Sequence, residues 1–358
     1  MSINRAHNFN AGPSALPLEA VEAMREGFMD FGGMSILEIS HRSKEFQAVI
    51  DEARALLVEL MGIPSDYDIL FLQGGAAHQF AMVPLNLMDT TADYALTGSW
   101  SKKALAEAKV VGTPKTVFSS QEGGFRRVPS ADELTPSDGA SYLHITSNNT
   151  IFGTQYHAFP DTGATPLVAD MSSDILSRAV DVSRFGLIYA GAQKNLGPAG
   201  VTAVIIRKDL LSRSYRELPV ILRYSTHAEG GSLYNTPPVF SIYAMMHCLR
   251  WVKAQGGVAE MEKRNAVKAA LLYEAIETSG FYTGVAEKDS RSLMNVTYTL
   301  PSEELTTAFV ADAKKQGIVG IKGHRSVGGI RASLYNAVSL ASVTALVTFM
   351  KEFERTRA

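Results

Sequence analysis

Leu187-Ile188-Tyr189-Ala190-Gly191-Ala192-Gln193-Lys194 begins as a short apolar run and breaks at a glycine, with a lysine just beyond it. Six further runs have the same character: Asp68-Leu72, Tyr94-Leu96, Thr116-Phe118, Tyr142-Ile145, Leu167-Ala169 and Val201-Ile206. Each ends in a polar or glycine-containing turn. Strands that alternate between two environments show a period of two, whereas strands covered on both faces read as unbroken apolar stretches. With helical or loop segments between them, these runs predict an α/β fold built on a large, mostly parallel, seven-stranded sheet.

Helical periodicity supplies the covering layers. Phe46, Val49, Ile50, Ala53, Leu57, Leu60 and Met61 share one face, and Gly62 and Pro64 then stop the helix. A second long pattern runs from about Val258 to Ile276. Beyond it Leu293-Leu300 alternates as a strand, Glu303-Gln316 reads as a helix and Gly329-Tyr335 as another strand. A last helix carries Val343, Leu346, Val347, Met350 and Phe353. These elements predict a smaller α+β unit, with a large domain over 15–260 and a small one over 1–14 and 261–358.

Ligands of open α/β sheets bind beyond the carboxyl ends of the strands. The chemically informative residues fall at those ends. Gly74-Gly75 follows the first run, Trp100 the second, Thr150 the Tyr142-Ile145 run, Asp170 the Leu167-Ala169 run and Lys194 the run quoted above. A pyridoxal cofactor needs an amine, a carboxylate for its ring nitrogen, a flat partner for its ring and backbone N–H groups for its phosphate. Lys194, Asp170, Trp100 and the glycine turn match that order. Singly, each has a plainer reading: a solvated charge, a helix cap, a core aromatic and a simple turn.

The total charge and composition bound the alternatives. The chain has 358 residues, 46% hydrophobic and 20% charged, with a net charge of -2. That excludes disorder and offers no broad basic field for nucleic acid or acidic membranes. Met1 to Pro13 holds no apolar secretory core, and no run approaches the roughly 20 apolar residues of a membrane span. One cysteine, Cys248, permits no intrachain disulfide, and no metal site is expected. A cytoplasmic protein is expected. Neither G-x-G-x-x-G, a Walker loop nor H-E-x-x-H is present. A desulfurase would require an exposed nucleophilic cysteine, whereas Cys248 sits in an apolar, helix-like run.

The segment Tyr189-Ala190-Gly191-Ala192-Gln193-Lys194-Asn195-Leu196-Gly197-Pro198-Ala199-Gly200 resembles the lysine segment of the phosphoserine aminotransferase family, class V members of the fold type I pyridoxal-phosphate enzymes. The resemblance continues through Phe9-Asn10-Ala11-Gly12-Pro13, Ser40-His41-Arg42, Asn235-Thr236-Pro237-Pro238, Gly323-His324-Arg325 and Gly329-Ile330-Arg331-Ala332-Ser333. It implies that Lys194 holds pyridoxal 5'-phosphate as a Schiff base and that Asp170 partners the ring nitrogen. Trp100 would stack on the ring, with Gln193 and Thr150 contacting its oxygen or lining the pocket. Gly75, Ala76 and Ala77 would meet the phosphate, joined by Asn235 and Thr236 from a second subunit.

The resemblance also implies the substrates. Two His-Arg-Ser tripeptides, at His41-Arg42 and His324-Arg325, would hold a substrate phosphate, and Arg331 would clamp a carboxylate. The reaction implied is L-glutamate plus 3-phosphohydroxypyruvate giving 2-oxoglutarate plus O-phospho-L-serine, a step of serine biosynthesis. A four-carbon phosphorylated analogue from pyridoxine synthesis is a further implied substrate, and a homodimer with shared sites the implied assembly. The chain departs from many relatives at Ala76-Ala77-His78, where they carry a serine or arginine side chain. The alternatives are a related aminotransferase for another small anion and a non-catalytic pyridoxal-phosphate-binding protein.

Overall fold

All seven apolar runs become strands of one sheet in the computed structural model, which describes residues 5–213 and 215–357. Residues 1–4 of the expected small domain lie outside the described residues. The strands are β1 (Tyr67–Leu72), β2 (Asp93–Leu96), β3 (Lys115–Ser119), β4 (Leu143–Thr146), β5 (Leu167–Asp170), β6 (Leu187–Gly191) and β7 (Thr202–Arg207). They lie in the order β1-β7-β6-β5-β4-β2-β3. β7 is antiparallel to both β6 and β1, and the other pairs are parallel. Six strands therefore point the same way, and their carboxyl ends meet along one edge.

The antiparallel exception follows from the connection. β6 returns directly to β7 through a short loop, which suits antiparallel neighbours, whereas parallel strands need a crossover. The loop is drawn tight by Ala192 N–H to Val201 O at 3.0 Å and Gly197 N–H to Ala192 O at 2.8 Å. Lys194 lies inside it, so the hairpin return presents the lysine at the edge where the parallel strands end.

Side-chain alternation splits the sheet residues between two apolar layers. Ile69, Phe71, Ile145 and Ile188 face one layer with Phe46, Ile50 and Leu57 of the helix Lys44–Met61 and Ile242 and Leu249 of the helix Val239–Ala254. Leu70, Leu72, Val168 and Tyr189 face the other, with Phe80 and Val83 of the helix Gly75–Leu87 and Leu105 of the helix Ser99–Val111. Cys248 is buried, and burial pushes its thiol up to about 12, far from a nucleophilic thiolate. The helix Lys44–Met61 begins two residues before its apolar pattern because the Ser43 hydroxyl accepts the Phe46 N–H at 3.2 Å.

A separate core contains Phe9 and residues from Ala269 onward, including Val296, Tyr298, Phe309, Ile330, Leu346 and Phe353. Around it Thr283–Gly284, Asn295–Thr299 and Ile330–Ser333 form an antiparallel sheet beside the helices Gly257–Glu277, Glu303–Lys315 and Leu340–Arg357. His7–Asn8 pairs in parallel with Ile318–Val319. Two-residue strands of this kind have too little pattern to be read from sequence.

Candidate active site

At the carboxyl edge of the sheet lies a cavity of about 410 Å³. That is within the roughly 300–1,000 Å³ range of small-molecule sites. Gly75, Ala76, Ala77, Trp100, Thr150, Asp170, Gln193, Lys194, His324 and Arg331, all singled out from sequence, line it. His41, Arg42, Asn235, Thr236 and Arg325 do not. Arg42, Asn235, Thr236 and Arg325 are exposed, and His41 is half-buried. Among the described residues the Nε2 atom of His41 has no hydrogen-bond partner.

The strand register explains the convergence. Asp170 closes β5 opposite Thr146 of β4 and Tyr189 of β6. Lys194 is buried, and its Nζ donates to Thr150 Oγ1 at 2.8 Å. Burial lowers the Lys194 ammonium to about 8, with Arg331 adding to the depression and the charge of Asp170 opposing it. A lysine in that range is substantially neutral in mildly alkaline solution and able to act as a nucleophile.

Burial raises Asp170, while hydrogen bonds from Ser172 and the nearby Lys194 charge pull it back. The Ser172 hydroxyl donates to Asp170 Oδ1 at 2.6 Å and the Ser172 N–H to the same oxygen at 3.0 Å. Ser172 Oγ in turn accepts the Gly191 N–H at 3.1 Å, which ties the end of β5 to the end of β6. The plainer reading of Asp170 as a helix cap fails, since turns and not a helix follow it. Sequence reasoning missed Ser172, and its place two residues past Asp170 was the only signal that could have found it.

The turn before the helix Gly75–Leu87 depends on its first glycine. Gly74 has φ +88°, and a Cβ there would stand 1.9 Å from His78 Nδ1. His78 is exposed and does not line the cavity. A Cβ on Gly75, at φ +68°, would meet nothing within 4 Å, and the helix's first N–H groups start from this cavity-lining residue. Those groups have no partner inside the helix and carry its positive end. They suit an anion. Thr146, Asn148, Ser173, Ala11, Gly12, Phe80 and Ile151 complete the walls. Of these, only Ala11-Gly12 had a sequence signal, as part of the first resemblance motif.

Trp100 lies in the first turn of the helix Ser99–Val111 and, like Val327, packs against Phe125, Ile151 and Phe152. Its indole Nε1 and the Nε of Arg331 are buried without a hydrogen-bond partner among the described residues. Buried donors are nearly always paired, so two unpaired ones at a cavity wall are suited to a bound molecule. Burial also lowers Arg331, and His324 is lowered by burial and by the neighbouring cations Arg331, Arg325 and Lys103.

The profile of the class-V aminotransferases matches residues 6–346. The chain belongs to that family and is a pyridoxal-phosphate-dependent aminotransferase, an enzyme that moves an amino group between an amino acid and a keto acid. Its relatives narrow the class. The chain is 58% identical to the phosphoserine aminotransferase of Geobacillus kaustophilus and 55% identical to that of Bacillus subtilis, each over 99% of both chains. It superposes on the solved phosphoserine aminotransferase of Bacillus circulans subsp. alkalophilus with a TM-score of 0.97, at 53% identity and 99% coverage of each chain. Another solved structure, which records radiation damage of the Schiff base in phosphoserine aminotransferase, gives 0.96 at 52% identity, over 99% of this chain and 100% of that one.

The residues present fit the cofactor of the family. The cavity offers a buried amine, a buried carboxyl, a flat aromatic ring and a helix N-terminus, the four groups whose chemistry pyridoxal phosphate requires.

Proposed function

We propose that the chain transfers the amino group of L-glutamate to 3-phosphohydroxypyruvate, giving 2-oxoglutarate and O-phospho-L-serine. The observation that carries this reading is the cationic wall of the cavity, where Arg331 and His324 stand within reach of the charges of Arg325 and Lys103. A substrate with both a carboxylate and a phosphate matches it. We extend the reading to the four-carbon phosphorylated analogue of pyridoxine synthesis, which carries the same two anionic groups.

Bound pyridoxal phosphate supplies an electrophilic carbon for amines and a ring able to take up carbanion charge. Lys194 would hold the cofactor through its amine, and once freed by an incoming amino acid that amine would move the substrate α-proton as base and then as acid. Its depressed pKa makes both directions accessible near neutral pH. Asp170 would keep the ring nitrogen protonated, and Ser172 favours the ionised carboxyl needed for that. Trp100 would cover one ring face, Gln193 and Thr150 would contact the ring oxygen or line the pocket, and Gly75, Ala76 and Ala77 would hold the phosphate. Arg331 takes the substrate carboxylate, and His324 and Arg325 take its phosphate. Two half-reactions through one cavity give ping-pong kinetics.

The same reading includes a homodimer in which His41 and Arg42, with Asn235 and Thr236, serve the other subunit's cavity. Phe28, Met29, Met34 and Leu37 are exposed apolar residues just ahead of His41, and exposed Tyr234 adjoins Asn235. Exposed apolar patches of this kind favour a protein partner. It also includes a cofactor domain over 15–260 and a small domain over 1–14 and 261–358, supported by their separate apolar cores. A cytoplasmic location is part of the proposal; among the described residues no helix is long and apolar enough to cross a membrane.

The test is a half-reaction screen. The pyridoxamine form of the enzyme is mixed with keto acids, and 3-phosphohydroxypyruvate is expected to react fastest. Arg325→Leu is expected to slow that half-reaction by about 10- to 100-fold, the loss of a hydrogen-bonded charge pair, while leaving reduction by glutamate nearly intact. A wild-type enzyme that prefers an unphosphorylated keto acid overturns the substrate assignment.

A further inference from the structure

The helix Ser99–Val111 carries, beside the cavity-lining Trp100, a cation that none of the assigned roles uses. Lys103 lies one turn beyond Trp100, with its ammonium 4.6 Å from the centre of the indole ring. Trp100 lines the cavity from one side and His324 from another. Val327, three residues past His324, packs against the same apolar cluster of Phe125, Ile151 and Phe152 as Trp100 does, which brings the 323–329 loop and this helix to one patch. Lys103 is close enough for its charge to weigh on His324, together with Arg325 and Arg331.

The charge balance around His324 is one-sided. Every electrostatic influence on His324 comes from a cation, and none from a carboxylate. Lys103 makes no ion pair among the described residues, and the first turn of its helix carries no acidic residue. A surface lysine ordinarily stands in water or near an Asp or Glu. Clustering Lys103, Arg325 and Arg331 about His324 without a counter-charge disfavours the protonated imidazole in the empty cavity, and a dianion entering it relieves that repulsion. Stacking over Trp100 keeps the flexible ammonium near the mouth at little entropic cost.

We infer that Lys103 is a specificity-determining residue that binds the phosphate of the phosphorylated substrate at the cavity mouth, beside His324 and Arg325. The inference rests on the proposed phosphorylated substrate and adds a lysine to the groups that recognise its phosphate. Because Lys103 is exposed, its contribution is screened by salt.

The experiment uses holoenzyme with Lys103→Met and Lys103→Arg. Each half-reaction is followed by the absorbance of the bound cofactor, with glutamate, 3-phosphohydroxypyruvate and pyruvate as separate substrates. Lys103→Met is expected to raise the KM for the phosphorylated keto acid about tenfold at low ionic strength, the scale of one charge-assisted hydrogen bond. It should leave the glutamate and pyruvate half-reactions within about twofold, and the defect should shrink as salt is added. Lys103→Arg should restore most of the affinity, and inorganic phosphate should inhibit the Met variant more weakly than the wild type. An unchanged KM in the Met variant, or equal loss in all three half-reactions, overturns the assignment. Wild-type enzyme that fails to turn over 3-phosphohydroxypyruvate instead overturns the functional reading on which it rests.

Discussion

Ser172→Ala removes one oxygen and isolates the part it plays in the ionisation of Asp170. The Ser172 hydroxyl donates to Asp170 Oδ1 at 2.6 Å, and the Ser172 N–H at 3.0 Å survives the substitution. A hydrogen bond to a charged group is worth about 1.5–3 kcal/mol, or about 1–2 pH units. Its loss destabilises only the ionised carboxyl. Asp170, already raised by burial, then holds its proton to a pH higher by about that amount. The same change deprives the Gly191 N–H of its 3.1 Å acceptor, at a cost of about 1–3 kcal/mol in stability. The assay is pyridoxal-phosphate titration of the apoprotein across pH, read by visible absorbance. On the acid side, affinity should fail about 1–2 units earlier in the variant, as pH is lowered, than in the wild type. Ser172→Thr, which keeps the hydroxyl, should restore the original curve. Acid limbs that superimpose, in a variant with a normal melt, would refute the reasoning.

Lys194 yields a pH dependence of stability. Its folded pKa is about 8 against an ordinary 10.5, so below pH 8 both folded and unfolded chains carry the proton and the cost of burying the ammonium is at its maximum. Between pH 8 and 10.5 the folded chain releases the proton first, and the apoprotein should gain about 3 kcal/mol relative to Lys194→Met, measured by urea melts. A constant difference between the two proteins would count against a desolvated lysine. Shared sites make a separate prediction: neither Arg42→Ala nor Lys194→Ala should be active alone. Mixed and reassembled one to one, they should recover about a quarter of wild-type activity, since half the dimers are hybrids with one intact site each. No recovery in hybrids shown to have formed would mean that Arg42 serves its own chain.

The seven strands were legible because each is a local apolar run, and β1 to β7 fall within a residue or two of those runs. The helix Lys44–Met61 was legible from its periodicity, although its start was moved by a cap at Ser43 that lies outside the pattern. Lys194, Asp170, Trp100, Thr150 and the Gly74-Gly75 turn were legible as a group, since strand ends in a parallel sheet share an edge. The direction of β7 was not, because an antiparallel return differs from a crossover only in how the chain packs. Nor was the role of Ser172, Thr146 or Asn148 as cavity wall, since small polar residues are common and only convergence distinguishes these.

By itself, then, the sequence determined which segments bury themselves as strands and helices, and which reactive groups stand at the ends of those strands. Tertiary structure decided what the groups become. Lys194 is an ordinary lysine in the chain, and it loses its proton easily only because strands and helices distant in sequence exclude water from it. The charges of Lys103, Arg325 and Arg331 all act on His324 because Trp100 of one helix and Val327 of a distant loop pack against the same apolar cluster. Desolvation and unpaired charge depend on everything within a few ångströms, whatever its distance along the chain, and so they are properties of the fold.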